Sequence, residues 1–218
     1  MKYLERNIEF LLKKSAFSKE AFFTRYQINK MTDLTLEQIG EISQEFEYNV
    51  ENLLLYPIYL NEQLNREIKL LILDVDGVMT DGGMYFSELG DQLKKYNTKD
   101  GMGIMKLTKN NFQVGIISSG FKVNLIESRA QLLGIQHVYV GRDPKISILK
   151  NWCEKLSISM NQVAVIGDDI NDLDIIQHSG FSACPSDAVL EVKRKVDVVL
   201  QRKGGEGCVR EFIDAFLV

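Results

Sequence analysis

The stretch Lys69-Leu70-Leu71-Ile72-Leu73-Asp74-Val75-Asp76-Gly77-Val78 decides how the rest of the chain is read. An aliphatic run without a turn residue stops at two carboxylates one residue apart, and a glycine follows. Such a run is expected as a strand buried on both faces, the kind found at the centre of a parallel sheet. Open parallel sheets bind ligands beyond the carboxyl ends of their strands, where Asp74 and Asp76 would lie. A fold has no need of two negative charges there, and their repulsion is costly unless a cation sits between them. The stretch points to a metal-dependent active site.

Downstream, strand and helix patterns alternate. Met84-Tyr85-Phe86 and Gln92 to Tyr96 flank Leu89-Gly90-Asp91 as a hairpin. Helices are expected from Gly101 to Lys109, from about Val123 to Leu133 with Gly134 as C-cap, and from Pro144 to Leu156. Further strands are Phe112 to Ile117, Val138 to Val140, Val163 to Ile166, Phe181 to Ala183 and Val196 to Leu200. Helices at Asn171 to Gln177 and Val209 to Phe216 complete the pattern. This alternation implies an α/β fold, a doubly wound parallel sheet with helices on both faces.

Upstream, residues 1 to about 66 read as helical, with Gly40 as the lone glycine. Ile8, Leu11 and Leu12, then Phe22, Phe23 and Tyr26, recur at helical spacing, as do Leu36, Ile39, Ile42 and Phe46. Tyr56-Pro57 to Asn65 reads as the connection into the strand. The expected organisation is a helical segment at 1–66 and an α/β domain at 67–218.

Composition sets the bounds. The 218 residues are 45% hydrophobic, enough for a real core, and the formal net charge is −4, which gives no electrostatic case for nucleic acid or an anionic membrane. Cys153, Cys184 and Cys208 are an odd number without Cys-x-x-Cys spacing, as expected of a reduced, cytoplasmic protein. His137 and His178 are the only histidines, too few for a His-rich metal site. The apolar runs are far shorter than a membrane span, and the charged start lacks a signal peptide's apolar core.

Three expected strands end in polar residues of different kinds: Asp74/Asp76, Ser118, and Asp168/Asp169 with Asp172 one turn on. Lys145 opens a helix between the second and third. Singly, each has a bland reading: an N-cap for Asp168 or Asp169, a turn for Ser118-Ser119-Gly120, a solvated side chain for Lys145. Their shared placement at one sheet edge is what speaks for chemistry. The order Asp-x-Asp-Gly-Val, Ser, Lys, Gly-Asp-Asp-x-x-Asp resembles the haloacid dehalogenase superfamily of phosphohydrolases over about residues 67 to 218.

That resemblance implies roles. Asp74 is the nucleophile that forms an aspartyl-phosphate, and Asp76 protonates the leaving oxygen and then deprotonates water. Ser118, or Ser119 if the strand ends one residue later, binds a phosphoryl oxygen, and Lys145 offsets charge. Mg²⁺ is the expected cofactor, held by Asp74, the backbone carbonyl of Asp76, and Asp168, with Asp169 or Asp172 in support.

Only a hairpin follows the first motif, and Ser118 to Lys145 leaves no room for a cap domain. Thr80 to Met84, Lys95 to Gly101 and the tail Gly204-Gly-Glu-Gly-Cys-Val-Arg-Glu-Phe resemble the capless sugar-acid phosphatases of this superfamily. Those act on 3-deoxy-manno-octulosonate 8-phosphate or on nine-carbon ketodeoxy acid 9-phosphates. The likeness implies a homotetramer in which a neighbouring subunit helps close the site. Expected substrate contacts are Asp76, Ser119, Gly120, Arg129 and Glu206, with Lys99 and Arg210 as further partners for a sugar carboxylate. Glu206 leans towards the nine-carbon group, whereas Phe121-Lys122 fits neither, so the two acids stay open.

A second reading is a sugar-phosphate-sensing DNA-binding regulator. From Leu34 to Leu55 the chain resembles the closing helices of a Cro-type helix-turn-helix domain. Between Phe23 and Thr32, however, there is too little chain for a recognition helix, and the segment's acidic balance opposes phosphate contact. A packing or oligomerisation module is the favoured expectation for these helices.

Overall fold

The structure, a computed structural model, describes residues 3–15, 17–60, 68–88, 90–91, 93–120 and 122–217. Contacts divide the chain into two compact units, Met1–Gln63 and Leu64–Val218.

In the first unit, α1 (Leu4–Ser15) buries Leu4, Asn7, Ile8, Leu11 and Leu12 along one face, the stripe its sequence spacing dictates. Ser18 caps α2 (Lys19–Tyr26) by accepting the Ala21 N–H at 3.1 Å. Thr35 and Gln38 form a reciprocal capping box at the start of α3 (Leu36–Glu45), and α4 is Val50–Leu55. A single 3₁₀ turn, Met31–Asp33, separates α2 from α3. A three-residue turn presents no helix face to a DNA groove, so no observation favours the DNA-binding reading. Part of the connection expected between Tyr56 and Asn65 lies outside the described residues.

In the second unit, β1 (Leu70–Leu73) is fully buried and pairs in parallel with β4 (Gln113–Ser118) and β6 (Val163–Ile166). With β5 (His137–Val140), β7 (Phe181–Cys184) and β8 (Val198–Val199) the sheet order is β5-β4-β1-β6-β7-β8, parallel throughout. From β1 the chain runs to one side through β4 and β5, then returns past β1 to β6, β7 and β8. The resulting switch point lies at the carboxyl ends of β1, β4 and β6, where an open sheet forms its ligand crevice. The helices are α5 (Thr98–Lys109), α6 (Val123–Leu133), α7 (Lys145–Leu156), α8 (Leu173–His178), α9 (Leu190–Lys193) and α10 (Cys208–Phe216). Phe181 of β7 meets Phe212 and Phe216 of α10 at ring-centroid distances of 5.6 and 5.1 Å, joining the sheet to its last helix.

Several boundaries differ from the sequence reading for identifiable reasons. The hairpin pairs β2 (Phe86–Ser87) with β3 (Gly90–Asp91), so its turn falls earlier than expected, and Gly90 (φ 91°) takes the left-handed position. Gln92 and Leu89, used in that expectation, lie outside the described residues. α5 starts at Thr98 because Asn97 caps it, its side chain accepting the Lys99 N–H at 2.8 Å. Pro144 is the N-cap of α7 and not part of its first turn. Ser118 is the last residue of β4, one place later than the strand was expected to end.

Candidate active site

The buried β1 delivers Asp74 to the sheet edge, and the chain then closes a five-residue π-type turn, Val75–Met79, with the Thr80 N–H donating to the Val75 carbonyl at 3.0 Å. Gly77 makes this turn possible in two ways. Its φ is 93°, and a Cβ there would overlap the Asp168 carboxylate. Gly204 meets the same turn from behind: a Cβ there would overlap the Gly77 carbonyl, and the Gly205 N–H donates to the Val78 carbonyl at 3.0 Å. The glycine-rich tail thus backs the loop that follows Asp74 in its own chain.

Lys145, at the first turn of α7, reaches the centre of the cluster. Its Nζ lies 2.6 Å from Asp74 Oδ1 and 2.6 Å from Asp172 Oδ1, all three side chains being buried. The other oxygen of Asp172 accepts the backbone N–H groups of Asp168 and Asp169 at 3.1 and 3.5 Å. Asp172 therefore organises the loop after β6 as well as the lysine. Asp169 caps the following 3₁₀ turn, accepting the Ile170 N–H at 2.7 Å. Carboxylate oxygens of Asp74, Asp168 and Asp172 lie within 4.8 Å of one another.

Three acids facing one lysine leave an excess of negative charge. Burial, reinforced by Asp172 and opposed by Lys145, pushes the Asp74 carboxyl up to about 7. Burial together with Asp74, Asp172 and Asp169 pushes Asp168 up to about 8. Burial alone would lower the Lys145 ammonium, but Asp74 and Asp172 outweigh it and hold its pKa above the ordinary lysine value. Such a set fits a hard divalent cation: the ligands are all oxygen, and added positive charge would relieve the repulsion that raises both carboxyls.

Above the cluster opens a cavity of about 230 Å³ lined by Asp74, Asp76, Ser118, Ser119, Gly120, Asp168 and Asp169 from the expected set. Met84, Arg142 and Asn171 also line it, and sequence reasoning missed all three. Asn171 lies within the Asp-Asp-x-x-Asp motif, and Arg142 sits three residues before Lys145, so proximity to motif residues was their one signal. Asn171 Nδ2 donates to Ser119 Oγ at 3.3 Å, tying the loop after β6 to the loop after β4. Ser118 Oγ accepts the Gly120 N–H at 3.1 Å. Arg129 and Glu206 do not line this cavity. The Arg129 guanidinium lies 5.3 Å from the Tyr96 ring centroid, and Glu206 is exposed in the glycine-rich tail.

Comparison with known proteins matches this geometry to sequence. Residues 121–212 match the family of haloacid dehalogenase-like hydrolases. The 3-deoxy-D-manno-octulosonate 8-phosphate phosphatase KdsC of Salmonella typhi is 40% identical over 151 residues, covering 69% of this chain and 80% of the relative. The chain belongs to the haloacid dehalogenase-like hydrolases. As a phosphoric monoester hydrolase of that family it stands among its capless members. The structure of the Yersinia pestis 3-deoxy-D-manno-octulosonate 8-phosphate phosphatase superposes with a TM-score of 0.67 at 39% identity, covering 71% of this chain and 83% of that one. The Moraxella catarrhalis enzyme, solved with magnesium, phosphate and KDO, gives a TM-score of 0.67 at 31% identity over 72% of this chain and 93% of its own. The relatives share the α/β unit. Among the described residues no helix is long and apolar enough to cross a membrane.

Proposed function

We propose that this hydrolase is a Mg²⁺-dependent phosphatase of a ketodeoxy sugar acid, either 3-deoxy-manno-octulosonate 8-phosphate or a nine-carbon 9-phosphate. The observation that carries the reading is the cluster of buried Asp74 and Asp172, both paired with Lys145, and half-buried Asp168 beside them, beneath the cavity that Asp76 and Ser118 line. The names of the relatives supply the substrate class. Asp74 and Asp168 would hold the ion with the Asp76 carbonyl, and Asp172 supports both through Lys145 and the loop amides. Bound there, Mg²⁺ would offset the negative charge of the phosphoryl oxygens.

In the first half-reaction Asp74 attacks phosphorus while the bond to the sugar oxygen breaks, and Asp76 gives that oxygen a proton. In the second, Asp76 takes a proton from water, whose oxygen attacks phosphorus and displaces Asp74, releasing inorganic phosphate. Lys145 keeps Asp74 oriented through a 2.6 Å contact. Ser118 or Ser119, with Gly120, receives the phosphoryl oxygens at the end of β4.

The fuller reading is a cytoplasmic homotetramer acting in cell-surface glycan synthesis, with a neighbouring subunit finishing the site. Exposed Met84, Tyr85 and Leu93 on and beside the hairpin support association, and three buried free cysteines suit a reducing compartment. The helical segment 1–66 is a packing or oligomerisation module, and 67–218 is the phosphatase domain. Arg129 and Glu206 would then meet substrate only through the assembly. The test is phosphate release with Mg²⁺ from a panel of phosphorylated ketodeoxy acids, compared by kcat/KM, with sedimentation for the subunit number. Turnover of none of the panel would overturn the substrate reading.

A further inference from the structure

Beyond the hairpin, Lys94 buries a positive charge that the chemistry described so far does not use. Its side chain is 3% exposed, and Nζ lies 2.6 Å from Asp76 Oδ1. Thr80 Oγ1 reaches the same oxygen at 3.4 Å. The other oxygen of Asp76 is turned the opposite way, towards the loop after β4: a Cβ on Gly120 would stand 3.6 Å from Asp76 Oδ2. The two oxygens of one carboxylate thus have separate surroundings, one gripped from below and one facing the cavity that Ser118, Gly120 and Asp74 line.

The neighbouring residue shows what the grip is for. Lys95, next in the chain, reaches Asp81 at 2.6 Å across the same turn, yet it is 69% exposed. An exposed pair of that kind ties the segment after β3 to the segment after the Val75–Met79 turn at little desolvation cost. The two carboxylates are about equally exposed, at 37% for Asp76 and 38% for Asp81, so the pairs differ on the lysine side, and burying the Lys94 ammonium carries a desolvation cost that Lys95 does not meet. The cost is understandable if its product is the orientation of Asp76.

We propose that Lys94 is the positioning residue for Asp76: by holding Oδ1 it presents Oδ2 as the oxygen that exchanges the proton with the leaving group. It also makes the proton donor depend on the hairpin being seated, because Lys94 follows β3 and Met84, just before β2, lines the same cavity. The inference rests on the proposed role of Asp76, and the test separates the two.

A sugar alkoxide leaves phosphorus only with a proton, whereas p-nitrophenolate leaves without one. A residue that merely supports the fold would affect both substrates alike. The measurement is kcat/KM, which reports steps through departure of the first product, for 3-deoxy-manno-octulosonate 8-phosphate and for p-nitrophenyl phosphate with Mg²⁺. Lys94→Met is expected to lose about 100-fold on the sugar-acid phosphate, in line with general-acid contributions, and less than about fivefold on the aryl ester. Asp76→Asn should show the same selectivity more strongly, and Lys95→Met should show none. Lys94→Gln, which keeps a donor, decides the matter if Lys94→Met does not fold. Equal losses on both substrates in the Lys94 variants, with Asp76→Asn selective, overturn the inference alone. Equal losses in Asp76→Asn overturn the role of Asp76 and the inference with it, as does a wild-type enzyme inactive on the sugar-acid phosphate.

Discussion

Among the described residues the helical unit buries one polar residue whole, Asn7, whereas the α/β unit buries Asp74, Thr80, Asp100, Ser118, Lys145, Asp172 and Ser182 whole, and the side chain of Lys94 besides. Asn7 is a structural group: its Nδ2 donates to the carbonyls of Leu53 and Tyr56 at 2.9 and 2.7 Å, closing the end of α4. Some of the α/β set are structural too. Ser182 Oγ bonds Asp197 at 2.9 Å, and Asp100 accepts the Arg210 N–H of α10 at 2.7 Å. What distinguishes Asp74, Ser118, Lys145 and Asp172 is that they converge on one sheet edge and their charges do not balance. A buried polar group is structural where its bonds tie one element to another, as Asn7 and Asp100 do. It points to chemistry where several charges converge without cancelling.

The largest expected effect breaks that cluster at its centre. Asp74→Asn keeps the shape and removes the proposed nucleophile, so phosphate release should fall on the order of 10⁴-fold or more, read by steady-state turnover. Normal turnover in that variant would return Asp74 to the structural class. Lys145→Met is next. It leaves Asp74 and Asp172 buried without their cation, which should cost about 3–5 kcal/mol of stability. A divalent ion should recover part of that loss, so the rise in melting temperature on replacing EDTA with Mg²⁺ should be larger for the variant than for the wild type. An identical rise in both would mean that the carboxylates and the ion site are uncoupled.

Most of the converging set was legible before the fold was known, because strand ends announce themselves. Leu70 to Leu73 carries no turn residue, and the carboxylates follow at once. Lys145 was legible only through its motif, since nothing local shows that a lysine at a helix start will be buried. Lys94 and Arg142 escaped for a related reason. Their roles depend on where the hairpin and the loop after β5 are carried, and two-residue strands such as β2 and β3 leave almost no periodicity to read. The tail glycines resembled a family feature in sequence. Only the fold shows Gly204 and Gly205 pressed against Gly77 and Thr80.

Asp100 sharpens the comparison from the structural side. Burial raises its carboxyl from 3.8 to about 6 despite the backbone N–H groups it accepts from the start of α10. The folded protein therefore holds this proton more tightly than the unfolded chain does. Its contribution to stability is complete below about pH 4 and is lost as pH rises through 6, a swing of about 3 kcal/mol. Asp100→Asn keeps an acceptor and removes the titration. In urea unfolding at pH 4, 5, 6 and 7 the variant should gain on the wild type steadily as pH rises. A difference independent of pH would show that Asp100 is ionised throughout and belongs with the charged cluster.

The smallest effect belongs to the helical unit and tests whether its buried amide is as local as its contacts imply. Asn7→Ala strips two buried carbonyls of their donor, which should cost about 1–3 kcal/mol. Because Asn7 Oδ1 has no hydrogen-bond partner among the described residues, part of that loss is returned when the amide itself is removed, which favours the lower end. Thermal unfolding followed by the near-ultraviolet signal of Tyr26, Tyr48 and Tyr56 would report it, and kcat on p-nitrophenyl phosphate should not move. A fall in kcat at a temperature where both units are folded would place Asn7 in the functional set and remove the division between structural and chemical burial on which the contrast stands.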